Sequence, residues 1–498
     1  MAHAGKLLIK GGHVYDHDGD VHRPSLADIL IEDGKIAAVG AGLAVEGPHE
    51  AIDARGRLVL PGLINAHYHS HDVLCRGLFE ELPLEIWLLY TMPLGQNRSR
   101  EEVRARTLVG ALESIRCGIT TVQDMLGLVP LNAEYTDLVL SAYRQAGIRV
   151  VFSPMVADLP ALAMVRHKES LPADVQDMFG TQAAPMREQL DYLEHQFKIH
   201  PAAGTLHWAI APFAPQRCTA KMLEACAALA QKHDLPVYTH VYETKGQALI
   251  ARELFDKHDG SLISYLSNTG LLGSRLNIVH SVWISRPEMD RMAAADAGIV
   301  LNHLSNLKLK SGIAPVCDLR EAGVRLGLGC DNCSGSDVQS VFQAMKMFCL
   351  LAAVTDPNPT GVRAADAIRA ATLGGAHAMD RDGELGAIRK GMKADLVVID
   401  LDDVAYQPLN SVARQLVFSE TGRGVETTIV DGQVVMRQRR IATIDEAALR
   451  SELASVMRTF RRDFARIAEA NRLAIPYLLT ANDRLKTHDV GLNRFVAS

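Results

Sequence analysis

Several short apolar runs in this chain end in a residue that can bind a metal ion or move a proton, and that recurrence narrows the folds open to it. The first run, Leu58-Val59-Leu60, leads into Pro61-Gly62-Leu63-Ile64-Asn65-Ala66-His67-Tyr68-His69. Side chains alternate along a strand, so His67 and His69, two apart, face the same way and can grip one cation. Further strand-like runs cover 119–124, 149–152, 206–211, 236–240, 276–280, 299–302 and 324–331, with helix-like stretches between them. Together with the run before His67 they make eight, the number a closed parallel (β/α)8 barrel requires. The expected fold class is therefore α/β, a TIM barrel spanning 60–380.

The flanks read differently. Between Lys6 and Val59 short strands surround the turn Asp33-Gly34, and a similar pattern returns with Ala394-Asp395-Leu396-Val397-Val398-Ile399 and a hairpin around Asp431-Gly432. Segments 1–59 and 381–440 are expected to form one composite β-sandwich beside the barrel. Residues 441–498 form a helical extension, opening with an amphipathic helix over 445–471 that carries Leu449, Leu453, Met457, Phe460 and Phe464 at three-to-four spacing. Within the barrel, 99–116 reads as a helix that begins with a capping box at Ser99 and Glu102 and stops before Gly118.

The chain of 498 residues has a formal net charge of -6 and no basic stripe, which argues against nucleic acid or an anionic membrane as partner. No secretory signal and no run of the ~20 apolar residues needed to span a bilayer is visible, so a cytoplasmic protein is expected. The eight scattered cysteines suit reduced thiols, and Cys330 and Cys333 read as small buried residues beside Asp331 rather than as a metal or redox pair.

In a parallel barrel all strand C-termini share one face. His67 and His69 end the first strand, His240 the fifth, His280 the sixth and Asp331 the eighth. Buried imidazoles and carboxylates need partners, so this convergence is hard to explain as core packing. His67, His69, His240 and Asp331 are the expected ligands of one divalent cation, Zn2+ or another borderline ion. Glu243, just past the fifth strand, is placed to carry a proton from water to substrate.

The ordered set Pro61-Gly-Leu-Ile-Asn-Ala-His-Tyr-His69, Arg76-Gly77, Gly118-Ile-Thr-Thr-Val-Gln-Asp124, His240-Val-Tyr-Glu-Thr244, His280-Ser-Val-Trp283, Ser305-Asn-Leu-Lys-Leu309, Gly329-Cys-Asp331 and Gly386-Ala-Ile-Arg-Lys-Gly-Met-Lys-Ala-Asp395 resembles the amidohydrolase superfamily. Within it, the chain is similar to the branch of aminohydrolases and triazine chlorohydrolases, which includes guanine and adenosylhomocysteine deaminases. The resemblance implies hydrolytic removal of an exocyclic amino group, as ammonia, from a nitrogen heterocycle. It implies that Asp331 touches the metal and takes a proton from water, that Glu243 passes a proton to the ring nitrogen, and that His280 polarises the water. Binuclear relatives need a carboxylated Lys or a Glu at the end of a middle strand, and Leu206-His-Trp-Ala-Ile-Ala-Pro212 supplies neither. Release of chloride or an alkylamine, or opening of the ring, is the alternative chemistry, and a non-catalytic scaffold a remote one.

Around the pocket the chain departs from its relatives. Phe213 follows Pro212 where members acting on adenosine-like substrates carry His, which argues against a nucleoside. The seventh-strand segment reads Leu301-Asn302-His303 in place of His-Asn-Pro or His-Cys-Pro, and Cys330 replaces Thr before Asp331. Trp87, Phe213, Gln216 and His303 are the expected substrate-pocket residues, the aromatics for stacking and Gln216 for pairing with an amide-like ring edge. His71 reads as a residue supporting the ligands from behind or lining the pocket rather than as a fifth ligand. A small heterocyclic substrate and a homo-oligomer complete the expectation.

Overall fold

A computed structural model describes residues 5–179, 183–356 and 361–495. Strands Leu63–His69, Ile119–Leu126 and Arg149–Val156 pair in parallel, and the short pieces Leu206–Trp208 and Ala211–Pro212 both continue from Arg149–Val156. A parallel bridge from Ile210 to Val237 leads into Val237–Val241, Leu276–His280, Gly298–Leu301 and Arg325–Leu328. Asp331–Asn332 then pairs in parallel with Tyr68 and His69, which closes the ring.

The fourth and eighth positions are each split rather than continuous. At the fourth, hydrogen bonds switch sides within two residues, Ala209 N–H donating to Phe152 O and Ile210 N–H to Pro236 O. At the eighth, the backbone of Gly329 lies so close to the first strand that a Cβ there would sit 2.9 Å from His67 Cβ. The break lets Asp331 turn inward in a left-handed conformation, φ 59°.

Ile64, Ala66, Met125, Val151, Ala209, Tyr238, Val279 and Val300 fill the lumen, and Ala376, Ala378 and Met379 plug its N-terminal end. The plug fits because it is small: a Cβ on Gly374 would lie 2.0 Å from Leu326 O. With one end sealed, only the C-terminal mouth remains for chemistry.

The N- and C-terminal segments share one nine-stranded sheet, joined where Arg57–Pro61 pairs antiparallel with Leu396–Asp400. The sheet curls until its two hairpin turns touch, and a Cβ on Gly34 would lie 2.8 Å from Asp431 O. The expected sandwich is thus a single hydrogen-bonded sheet rolled around its own core of Leu7, Ile9, Ile29, Ile31, Leu396, Val398 and Ile429.

Helix Arg100–Arg116 is capped by Ser99, whose Oγ accepts from Glu102 N–H at 3.2 Å. The reciprocal half of the capping box does not form, because the Glu102 carboxylate is taken by Arg98 at 2.7 Å. Helix Glu446–Asn471 buries Leu449, Val456, Phe460 and Ile467 and packs on helices Leu84–Gly95 and Arg100–Arg116. A separate helix, Ile475–Lys486, follows it. Among the described residues no helix is long and apolar enough to cross a membrane.

Candidate active site

At the open mouth, His67, His69, His240, His280, Glu243 and Asp331 converge. His67 Nε2 and His69 Nε2 lie 3.4 and 3.3 Å from Asp331 Oδ1, and His240 Nε2 is 3.4 Å from His69 Nε2. Each imidazole is oriented through its other nitrogen. His69 Nδ1 donates to Met125 O, His240 Nδ1 to Phe213 O at 2.6 Å, His67 Nδ1 to Gln123 Oε1 at 3.4 Å and His280 Nδ1 to Asn306 Oδ1 at 2.8 Å. Gln123 is itself turned by donating from Nε2 to Ser153 Oγ at 2.7 Å. With the protons on Nδ1, the Nε2 lone pairs face one another in a buried space, an arrangement that repels unless a cation sits among them.

His67 Nε2, fully buried, has no hydrogen-bond partner. Burial, aided by the neighbouring His69, lowers His67 to about 4, and burial with His67 and His69 holds His240 well below the usual imidazole range. Burial alone would raise Asp331, but the imidazoles of His67 and His69 set against it hold its carboxyl well below the ordinary carboxylate value. Burial lowers His69 too, but the Asp331 carboxylate beside it raises it on balance; imidazoles held low at His67 and His240 beside a firm carboxylate suit a borderline divalent cation. His67, His69, His240 and Asp331 could hold it.

Glu243 Oε2 lies 3.7 Å from His280 Nε2, and His280 Nε2 is 3.9 Å from Asp331 Oδ2. Burial, then the charges of Asp331 and Glu85, push Glu243 far above the usual carboxylate range, which favours its protonated form. His280 and Asp331 both occupy positive φ, 75° and 59°. Such conformations cost energy in non-glycine residues and persist where the surroundings enforce them. The enforcing contacts are visible for the eighth strand: Asn65 Oδ1 accepts from Cys330 N–H at 2.8 Å, and Gln339 Nε2 donates to Asp331 O at 3.1 Å.

Above these groups opens a cavity of about 550 Å³. Trp87 and Phe213 line it, and Trp87 Nε1 donates to Ser334 Oγ at 2.9 Å. His71 also lines it, with its ring 5.3 Å from that of His69, and belongs to none of the metal-binding groupings. Gln216 and His303 do not line it. Gln216 is the middle residue of the turn Pro215–Arg217 and its buried amide has no hydrogen-bond partner, whereas the next residue, Arg217, lines the cavity. His303 opens helix His303–Lys308 and packs outward, its ring 6.0 Å from Phe348. Cys330 and Cys333 are buried free thiols, and among the described residues no cysteine joins a metal-binding group. Sequence reading missed Arg217, Glu85 and the orienting residues Gln123 and Asn306, the last two of which stood in the Gly118–Asp124 and Ser305–Leu309 stretches without a role.

Against known proteins, the amidohydrolase family model matches residues 58–435. The 5'-deoxyadenosine deaminase of Methanothermobacter thermautotrophicus is 32% identical over 441 residues, 88% of this chain and 95% of that protein. The 5-methylthioadenosine/S-adenosylhomocysteine deaminase of Thermococcus kodakarensis is 33% identical over 432 residues, 86% and 94% respectively. Among solved structures, an adenosine deaminase from Xanthomonas campestris with bound zinc superposes with a TM-score of 0.80 at 27% identity, covering 92% of this chain and 99% of that one. Zinc-bound atrazine chlorohydrolase from Arthrobacter aurescens gives 0.80 at 25% identity, with 90% and 99% covered. The chain belongs to the amidohydrolase family.

Proposed function

We propose that this chain hydrolytically removes an exocyclic amino group, as ammonia, from a nitrogen heterocycle, with one divalent cation held by His67, His69, His240 and Asp331. The observation that carries this reading is the buried convergence of those four groups beside Glu243 and His280 at the floor of a cavity. A borderline cation bound there, Zn2+ or Fe2+, supplies the charge that brings water toward ionisation near neutral pH. Asp331 takes a proton from the water that attacks the amino-bearing carbon. His280, with Nδ1–H committed to Asn306, offers Nε2 as acceptor to that water. Protonated Glu243 delivers a proton to the adjacent ring nitrogen, which relieves the negative charge that attack places on the ring. The proton held by Asp331 passes to the amino group, the carbon–nitrogen bond breaks to release ammonia, and the new hydroxyl becomes a carbonyl as its proton returns to Glu243. Trp87 and Phe213 offer flat faces for the ring.

The relatives at 32% and 33% identity are deaminases of adenosine-derived compounds by name, which supports the reaction type. Phe213 in place of a histidine donor favours a different ring edge. A cytoplasmic setting suits eight unpaired cysteines, and the exposed Leu473, Tyr477 and Leu479 near the C-terminus suit a homo-oligomer, which sedimentation analysis decides.

The test is an ammonia-release screen of aminopyrimidines, aminopurines and aminotriazines with protein whose metal content is measured. Activity should require about one Zn2+ or Fe2+ per chain, vanish on chelation and return with the metal. Chloride, alkylamine or a ring-opened product without ammonia would replace the deaminase reading, and the absence of both metal and turnover would leave a scaffold.

A further inference from the structure

We propose that Arg217 is an anion-recognising residue of the cavity, so that the heterocycle carries a negatively charged oxygen, a carboxylate or an ionised ring oxo group, remote from its amino-bearing carbon. The orientation of the ring rests on the deaminase reading above, whereas the anion subsite stands on the surroundings of the guanidinium.

Arg217 is 7% exposed and lines the cavity. Its Nε donates to Leu159 O at 2.9 Å, and its guanidinium lies over Phe213, 4.9 Å from the ring centroid. Phe213 also meets His240, with ring centroids 5.2 Å apart. Phe213 therefore touches both the guanidinium and the metal-facing imidazole, and all three line one cavity, so a flat heterocycle reacting at the floor lies within reach of Arg217.

Among the described residues no carboxylate lies within ion-pairing distance of Arg217, and its two Nη groups donate to no acceptor. The acid nearest along the adjoining loop, Asp158, is already committed to Thr219, accepting from its N–H at 2.8 Å and from its Oγ1 at 2.5 Å. Lining carboxylates lie elsewhere, Glu243 and Asp331 at the floor and Glu188 on an exposed helix. Burial lowers Arg217 only to about 10, so it stays a cation at neutral pH. A buried charge without a partner is costly, and a planar guanidinium fixed by a carbonyl and an aromatic face matches an anionic oxygen pair. The other lining residues nearby are largely apolar, including Leu84, Leu88, Met92 and Met164, so no second cation competes for the anion.

The test uses full-length, zinc-loaded protein and the variants Arg217→Met and Arg217→Lys. Aminopyrimidines and aminopurines are supplied as matched pairs bearing a carboxylate or its uncharged carboxamide, and barbiturate against uracil forms the ring-oxygen arm. Binding is followed by isothermal titration and turnover by ammonia release. In the unaltered protein at least one anionic member should bind roughly 100-fold more tightly than its neutral partner. The ratio should collapse toward one in Arg217→Met and be partly kept in Arg217→Lys. The thermal midpoint of Arg217→Met should hold or rise, because an uncompensated buried charge has been removed.

Equal binding within every pair in the unaltered protein, or no binding by any anionic probe, overturns the subsite. So does a lowered midpoint in Arg217→Met with the ratio preserved, which makes Arg217 a structural cation. An Arg217-dependent anion preference without ammonia release from any heterocycle sinks the deaminase reading and leaves the subsite. Ammonia release with no anion preference does the reverse.

Discussion

Glu243 and His280 face the same reacting space 3.7 Å apart, yet their surroundings push them to complementary states: a carboxyl kept protonated by burial and by the charge of Asp331, and an imidazole kept neutral by burial. A proton donor and an acceptor are thereby held side by side at neutral pH without exchanging roles. Glu243→Gln keeps the shape and removes the proton that can be given away. We expect kcat to fall about 10³-fold with the metal content unchanged, measured by steady-state ammonia release beside elemental analysis. A loss of metal in parallel would assign Glu243 to holding the cation instead. At this scale His67, His69, His240, His280 and Asp331 were legible because a strand end fixes where a side chain points. Gln216 and Arg217 were not, since neighbours in a tight turn face opposite ways and only packing selects which one meets the cavity. The positive φ of His280 and Asp331 is likewise set by the contacts around them and leaves no mark in composition.

Helix Leu84–Gly95 works on both sides. Leu84, Trp87, Leu88 and Met92 line the cavity, while Ile86, Leu89 and Leu94 pack with Phe460, Ile467 and Leu478 of the two C-terminal helices. Asn471 ties the layers together by donating from Nδ2 to Leu89 O at 3.0 Å. The C-terminal extension thus acts as the backing of a cavity wall. Phe460→Ala, at a site 2% exposed, should cost about 3–5 kcal/mol of local stability. The expected outcome is faster proteolytic nicking within 446–486 and a raised KM with kcat little changed, because the wall loosens while the floor stays. Resistance to nicking with an unaltered KM would separate the extension from the cavity. The amphipathic stripe made the first of these helices readable. The second escaped because it follows after only a few residues and its buried positions, Leu478, Ala481 and Leu485, form a narrower stripe.

Across the whole molecule, the sheet and the barrel meet at the end opposite the cavity. Arg149, at the start of its barrel strand and 1% exposed, donates from Nε and Nη2 to both Asp395 oxygens at 2.9 Å. Asp395 also accepts from Asp431 N–H at 2.8 Å, so one buried carboxylate joins the barrel, the junction strand and the hairpin turn. The conjunction of the two flanks was legible from their matching turns, but this pair was not, because nothing in the sequence links positions so far apart before the chain has folded. Removing one partner leaves the other charged and buried. Arg149→Met should therefore cost about 3–5 kcal/mol, whereas Arg149→Met with Asp395→Leu should recover much of that loss. Barrels divide labour between their ends, the C-terminal mouth for chemistry and the N-terminal end for stability. Turnover per folded, metal-loaded molecule should accordingly stay within about twofold in both variants while the thermal midpoint drops in the single one. A fall in kcat that tracks the midpoint would mean that the two ends are coupled and that the sheet helps shape the site.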